Sequence, residues 1–218
     1  AMYIAYLGRA PDPGGLDFWI DQYQGALDDP NKDEAEALAN ISESFRVSDG
    51  AESLFPILGA PGTATQAAIA DLINSLSQNL FNEDVEGSAD DTDTPLGELV
   101  AAFQERFDAG IYIGDLVVDL IGQADDEAGN VLDNKIEVSG AYSDAFKANS
   151  APWTVDEDMG SAQAVLAGVG GDDASVTAAI EQANAAATTV NVNSDGIDDA
   201  GSNDTDEAGN GGFTYVFA

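Results

Sequence analysis

The 218-residue sequence contains no histidine and no cysteine. These absences exclude a Ser-His-Asp triad, a thiol nucleophile, a disulfide bond, and zinc or iron sites with the usual nitrogen and sulfur ligands. Lysine and arginine are also scarce, at 6 residues against 41 aspartates and glutamates, and the net charge is −35. Because nucleic-acid binding needs a basic surface, nucleic acid is not expected as a partner. No apolar run reaches the roughly 18 residues that a membrane span requires.

The excess of carboxylates favours cations as partners. Hard divalent ions such as calcium, which prefer oxygen ligands, come first. The lack of cysteine agrees with an exported bacterial protein, while no signal peptide is visible at the start of the chain. With 44% hydrophobic residues the chain can build a core, so global disorder is not expected.

Apolar residues recur with helical spacing along most of the chain, and the fold class is therefore expected to be mainly α. The row of Leu16, Trp19, Ile20 and Tyr23 has the i, i+3, i+4, i+7 spacing of one helix face, and we expect Trp19 to lie in the core. Asp12 is expected to cap this helix, with proline at its first position.

Other segments depart from helical periodicity. The acidic segment 82–94 is expected to be a loop, and the segment 125–134 a turn that leads into a helix. Segment 213–217 has the pattern of a β-strand. Since a single strand cannot stand alone, we expect a β-rich region to follow it.

An internal similarity links the segments 3–9 and 77–83, each of which precedes a loop with glycine and acidic residues and then a helix with an aromatic residue. It predicts a helical bundle built from a degenerate duplicated helix-loop-helix unit. We expect a helical domain over 2–150 and additional alanine-rich helices over 151–190 that pack on it. Residues 191–218 are expected to form an acidic linker or calcium loop and the start of a truncated β-rich region.

Three segments together resemble a known family. Residues 6–19 read YLGRAPDPGGLDFW, and they resemble the Y-x-G-R-x-P-D-x-x-G-L-x-Y-W signature of a bacterial domain-of-unknown-function family. That family occurs in S-layer-like and RTX-type exported calcium-binding proteins and is related to the helical domains of phycobilisome linkers. Residues 133–142 resemble its later A-N-K-V-E-V-S-x-x-Y helix, and residues 45–49 its F-x-x-S-x-E helix end. In the second copy, residues 82–84 (NED) replace the expected G-R-x-P-D turn.

The resemblance implies an all-α, non-catalytic module of a cell-surface or secreted protein, with a structural, anchoring or adhesive role. It implies an extracellular or cell-surface location and attachment to surface polysaccharide or to other protein subunits. It carries over no catalytic residues. From the residues themselves we expect the motif to be structural, with a helix end, a stiff connection, a cap and a buried aromatic ring. The residues concerned are Gly8, Arg9, Pro11, Asp12, Gly15, Leu16 and Trp19.

The best metal-binding pattern is NVNSDGIDD, at 191–199. Its oxygen-bearing side chains fall at positions 1, 3, 5 and 9 of a calcium loop with glycine at position 6, and a backbone carbonyl at position 7 is a further ligand. Asparagine at two of these positions and serine at position 12 predict a weak site, with a dissociation constant of about 10⁻⁴–10⁻³ M. The alternative is a solvated, flexible linker. The candidate calcium ligands are Asn191, Asn193, Asp195, Ile197 and Asp199.

Trp153 follows a proline in an expected loop, and it is our candidate for an exposed aromatic residue that stacks on a sugar. An alternative function is a scaffold or linker domain that docks protein partners through helical faces, which an exposed apolar patch would favour. Carboxylates are the only catalytic groups in sufficient number, so a glycoside hydrolase with two acids is the remote enzymatic alternative. We expect no enzyme.

A calcium titration tests the 191–199 pattern. After chelator treatment, isothermal calorimetry at moderate salt should show binding heat for the full chain and none for a chain ending at Val190, because the ligands are then removed. The absence of heat from both chains would identify the segment as a solvated linker.

Overall fold

The computed structural model describes residues 1–28, 33–59, 64–109 and 115–195. These ranges contain ten α-helices, one short 3-10 helix over Pro56–Gly59 and no strand, which confirms the prediction of a mainly α fold. The predicted strand at 213–217 lies outside the described residues. The helices are α1 Met2–Leu7, α2 Pro13–Leu27, α3 Glu34–Arg46, α4 Asp49–Leu54, α5 Gln66–Phe81, α6 Pro95–Ala109, α7 Asp115–Gln123, α8 Asp126–Ala148, α9 Val155–Ala167 and α10 Asp173–Asp195.

Several helices begin at caps that the sequence shows. The Asp12 carboxylate accepts a hydrogen bond from the backbone N–H of Gly15 at 2.7 Å, and α2 begins at Pro13, as predicted. Proline is suited to this first position because its missing N–H would have had no partner in the helix. As also predicted, residues 82–94 lie outside any helix.

The prediction of a turn over 125–134 was wrong. The Asp125 carboxylate accepts hydrogen bonds from the N–H groups of Glu127 and Ala128, and α8 then runs without interruption to Ala148. Acidic residues in the first helical turn interact favourably with the positive end of the helix dipole. The same Asp, Glu and Gly composition that is typical of a turn therefore serves here as a capped helix start.

The core is centred on α5, which packs against α1, α6 and α8. Ile69, Ile73, Leu76 and Leu80 of α5 are fully buried. The second organising helix is α8, which contacts α2, α5, α9 and α10. Residues 151–190 form α9 and most of α10, and their buried apolar side chains belong to the same hydrophobic core as those of the preceding helices.

Helix α2 differs from the other long helices whose burial is described. None of its 15 residues is buried, whereas α5 buries eight residues. The Trp19 ring packs 4.7 Å from that of Phe45 on α3, but it stays half-buried, so its expected core position is corrected to the margin of the core. Ile20 and Leu27 each remain 43% exposed.

The two segments with internal similarity end alike. Gly8 terminates α1 with φ 58°, and Asn82 terminates α5 with φ 65°, so both lie in the left-handed region that glycine and asparagine tolerate best. The connections then diverge, because α2 begins at Pro13 but α6 begins only at Pro95.

Candidate functional site

The segment from Gly8 to Asp12 forms a joint between four helices. It connects α1 to α2, and its backbone also forms hydrogen bonds with α8 and α9. The N–H of Ala10 donates to the carbonyl of Ala162 on α9 at 2.8 Å. The Ser143 hydroxyl on α8 donates to the carbonyl of Pro11, also at 2.8 Å, and both partners are buried. We call this arrangement the Arg9 joint, after the side chain at its centre.

Arg9 is buried, with 7% of its surface exposed, and its guanidinium lies between two aromatic rings. Its central carbon is 4.9 Å from the ring centroid of Tyr3 and 5.1 Å from that of Trp153. One terminal nitrogen donates to the Ala10 carbonyl at 2.9 Å, and the other lies 3.8 Å from a carboxylate oxygen of Asp12. A buried charge is costly unless it is paired, and here π faces, a carbonyl and a carboxylate together compensate it.

Tyr3 and Asp12 complete the joint on the side of α2. The Tyr3 hydroxyl donates to Asp12 at 3.4 Å. Burial, and secondarily the nearby Asp12 carboxylate, raise the pKa of the Tyr3 hydroxyl well above its ordinary value. A Cβ atom at Gly15 would collide with the Tyr3 hydroxyl, so a larger residue there would require the Tyr3 and Asp12 side chains to move.

Trp153 is half-buried in the joint, so the expectation of an exposed ring was wrong. Its indole N–H donates to the Tyr142 hydroxyl at 3.1 Å. That hydroxyl in turn lies 2.8 Å from the Ser161 hydroxyl and donates to the Asp158 carbonyl at 3.3 Å. Tyr142 is fully buried, and burial raises the pKa of its hydroxyl. The predicted sugar-binding role of Trp153 stays a prediction.

A second buried cation, Lys135 on α8, joins α8 to the end of α5. Its ammonium donates to the Asn79 carbonyl at 2.7 Å and to the Asn82 side-chain oxygen at 2.6 Å. Asn82 donates onward to the Val169 carbonyl, and Asn79 to the Ala5 carbonyl, each at 2.8 Å. Lys135 is only 3% exposed, and burial lowers the pKa of its ammonium to about 8. The carbonyl end of α5 carries the negative pole of the helix dipole, which favours the charged amine.

Sequence reasoning assigned no role to Lys135, although a signal for one was present. Lys135 falls between Leu132 and Val138 in the helical register of the buried face of α8, where an apolar residue is expected. It also lies inside the segment 133–142 that carries part of the family resemblance. A single lysine within an apolar stripe of a chain with so few cations marks a buried polar contact.

The other described cations also connect separate parts of the chain. Together with Arg9 and Lys135 they make five, and Lys32 lies outside the described residues. Arg46 of α3 donates to the Leu58 carbonyl at 2.8 Å and also pairs with Glu43 of its own helix at 2.6 Å. Arg106 of α6 pairs with Asp119 of α7 at 3.5 Å, and Lys147 of α8 pairs with Asp17 of α2.

The structure brings together the motif residues, whereas the side chains of the candidate calcium ligands lie outside the part of the chain that it describes. The backbone of Asn191, Asn193 and Asp195 belongs to the last turns of α10, and Ile197 and Asp199 lie outside the described residues. Among the side chains that are described, no group of three or more acidic residues is placed to hold a metal ion. Calcium binding at 191–199 stays a prediction.

The described residues also form an open acidic cleft of about 230 Å³ beside the segment 83–86. Two of its carboxylates already accept hydrogen bonds within the fold. Asp84 accepts one from Gln78 at 2.9 Å, and Asp125 caps α8. Two of the four carboxylates that line the cleft are therefore engaged in local structure.

Comparison with protein-family models, with curated proteins and with solved structures found no match for this chain. Within the described ranges, no helix is both long and apolar enough to cross a membrane. The family resemblance of segments 6–19, 45–49 and 133–142 stays an expectation.

Replacing Arg9 tests the joint. Arg9→Ala should lower the free energy of unfolding by about 2–4 kcal/mol, because it removes a charge-assisted hydrogen bond and two desolvated cation–π contacts. Arg9→Lys should recover only part of the loss, since an ammonium lacks the planar guanidinium fork. Urea unfolding followed by circular dichroism measures both. The control is Lys147→Ala, which breaks a more exposed ion pair and should cost at most about 1 kcal/mol; equal losses in Arg9→Ala and the control would contradict the central role of Arg9.

Because burial lowers the pKa of Lys135, the free energy of unfolding should increase with pH. The unfolded lysine keeps its proton up to about pH 10.5, whereas the folded one loses it near pH 8, so the unfolded state binds more protons between these values. The stability of the native chain relative to Lys135→Met should therefore rise above pH 8, by at most about 1.4 kcal/mol per pH unit.

Urea unfolding between about pH 7 and pH 9 measures this difference while most free tyrosines stay protonated. A difference that stays constant across this range would show that the Lys135 pKa is the same in both states.

Proposed function

We propose that this chain is a non-catalytic helical module of a cell-surface or secreted protein, of the S-layer-like or RTX-type exported class, with a structural, anchoring or adhesive role. The observation that supports the proposal is the Arg9 joint. The segment that carries the family resemblance holds helices of this chain together. The Arg9 guanidinium donates to the Ala10 carbonyl and lies near the Asp12 carboxylate, both of the same chain. A motif used in this way provides a rigid scaffold.

We further propose that the chain contains a degenerate duplicated unit, whose two copies begin with α1 and α5. The matching left-handed ends at Gly8 and Asn82 support this proposal. The second copy has exchanged the short motif turn for the acidic loop at 82–94. At the end of α5, the cation that contacts Asn82 is Lys135, which belongs to α8.

The partners that fit this role are calcium and surface polysaccharide. A net charge of −35 attracts divalent cations, and calcium bound at 191–199 would reduce the repulsion among nearby carboxylates. A sugar would stack on the accessible part of an aromatic ring, and the half-buried Trp153 stays the candidate.

A second candidate function is the docking of protein partners through helical faces. Large apolar side chains remain exposed on α2, where the fold leaves a regular amphipathic helix incompletely covered. Exposed apolar surface of this kind is typical of interaction sites.

A binding assay on immobilised bacterial surface polysaccharides tests the proposed function. The labelled chain should bind at least one polysaccharide saturably in about 2 mM calcium, a concentration suited to weak extracellular sites, and should release no reducing sugar. Trp153→Phe should weaken binding, whereas the matched variant Trp19→Phe should not.

Polyglutamate serves as the charge control, because calcium alone can bridge it to acidic glycans. A chain that binds no better than polyglutamate, or that cleaves the glycans, would contradict the proposed function.

A further inference from the structure

Helix α2 presents a continuous apolar row that the described part of the fold covers only in part. Leu16, Ile20, Tyr23 and Leu27 have the spacing i, i+4, i+7, i+11, which places them on one face of an α-helix. Ile20 and Leu27 are exposed, and the other two are half-buried. Of the four, Tyr23 packs against the core. We call this row the α2 stripe.

The α2 stripe is held in place by contacts on either side of it. On one side, the Tyr23 hydroxyl donates to Glu34 at 3.0 Å, and α2 packs on α3. On the other side, Lys147 of α8 binds Asp17. The Arg9 joint positions the first turn through the Asp12 cap. The face is thus presented by a positioned helix, which reduces the ordering cost of binding.

Carboxylates border the α2 stripe along both edges. Asp17, Asp21 and Asp28 form an exposed row about a quarter of the helix circumference away, as the 100° step between residues requires. Glu34 stands at the opposite edge, next to Tyr23. An occupant must therefore combine an apolar row with basic residues on its flanks.

We propose that the α2 stripe docks a basic amphipathic helix of a partner protein. A second copy of this chain is a poor occupant, because two molecules with a net charge of −35 repel each other and the stripe has acidic edges. An anionic membrane is repelled in the same way. An α-helix with leucine-like residues along one face and lysine or arginine beside them matches both the apolar row and the charges. The inference rests on the second candidate function and names its surface and partner.

The test uses the full chain and a fluorescein-labelled peptide of roughly five helical turns, with leucines along one face and lysines on the others. Its control is a scrambled peptide of the same composition, which has the same charge but no apolar face. Fluorescence anisotropy at about 0.15 M and 0.5 M NaCl separates apolar from electrostatic binding. We expect saturable binding of the helical peptide at both salt concentrations, and binding of the scrambled peptide only at the lower one.

Two variants locate the site. Ile20→Ser with Leu27→Ser should raise the dissociation constant at least about tenfold, and Asp21→Asn with Asp28→Asn should weaken binding mainly at low salt. The matched control is Val47→Ser with Leu54→Ser, which alters side chains that are 50% and 53% exposed on other parts of the surface. Circular dichroism confirms that each variant is folded.

The outcomes distinguish the surface from the function. Equal weakening by the control pair, or unchanged binding in the Ile20 and Leu27 variant, would overturn the assignment to the α2 stripe and leave helical-face docking in place. Equal binding of the helical and scrambled peptides at 0.5 M NaCl would overturn both. A dimer in sedimentation that the Ile20 and Leu27 variant converts to a monomer would identify a second copy as the occupant, against the proposal.

Discussion

Buried or bridging cations hold this strongly acidic chain together. With 41 acidic and 6 basic residues, carboxylates far outnumber the cations that could pair with them, and their mutual repulsion opposes folding. The two most buried cations nevertheless take most of their partners from carbonyls, amides and aromatic rings. Arg9 lies between Tyr3 and Trp153, and Lys135 binds the end of α5. Such contacts are short in range and weakly screened, so they stabilise the helix ends where exposed ion pairs would contribute little.

The Arg9 joint has a consequence for the surface of the molecule. It begins α2 at a position set by α8 and α9, because the Ser143 and Ala162 contacts determine the path of the chain before Pro13. From that start α2 extends along α3 and contacts it near Tyr23 and Trp19. Ile20 and Leu27 on the same helix stay exposed. The same contacts that hold the helices together therefore also determine which side chains of α2 are exposed.

Local chemistry in the sequence was sufficient to predict much of the helical framework. Asp12 before Pro13 identified the start of α2, because a helix cap acts within a few residues. The start of α8 was misjudged, since a cluster of Asp, Glu and Gly suits both a turn and a capped first turn. The Asp125 cap and the packing of α8 against α5 and α10 together select the helix.

The sequence by itself determined the mainly α fold class and excluded the classes of chemistry that need histidine or cysteine. The tertiary structure alone decided which side chains meet. Nothing local indicates that Arg9 contacts Trp153, that Lys135 reaches Asn82, or that Ile20 and Leu27 remain exposed on a face that its periodicity marks as apolar. Periodicity is a property of one helix, whereas burial depends on where the other helices lie.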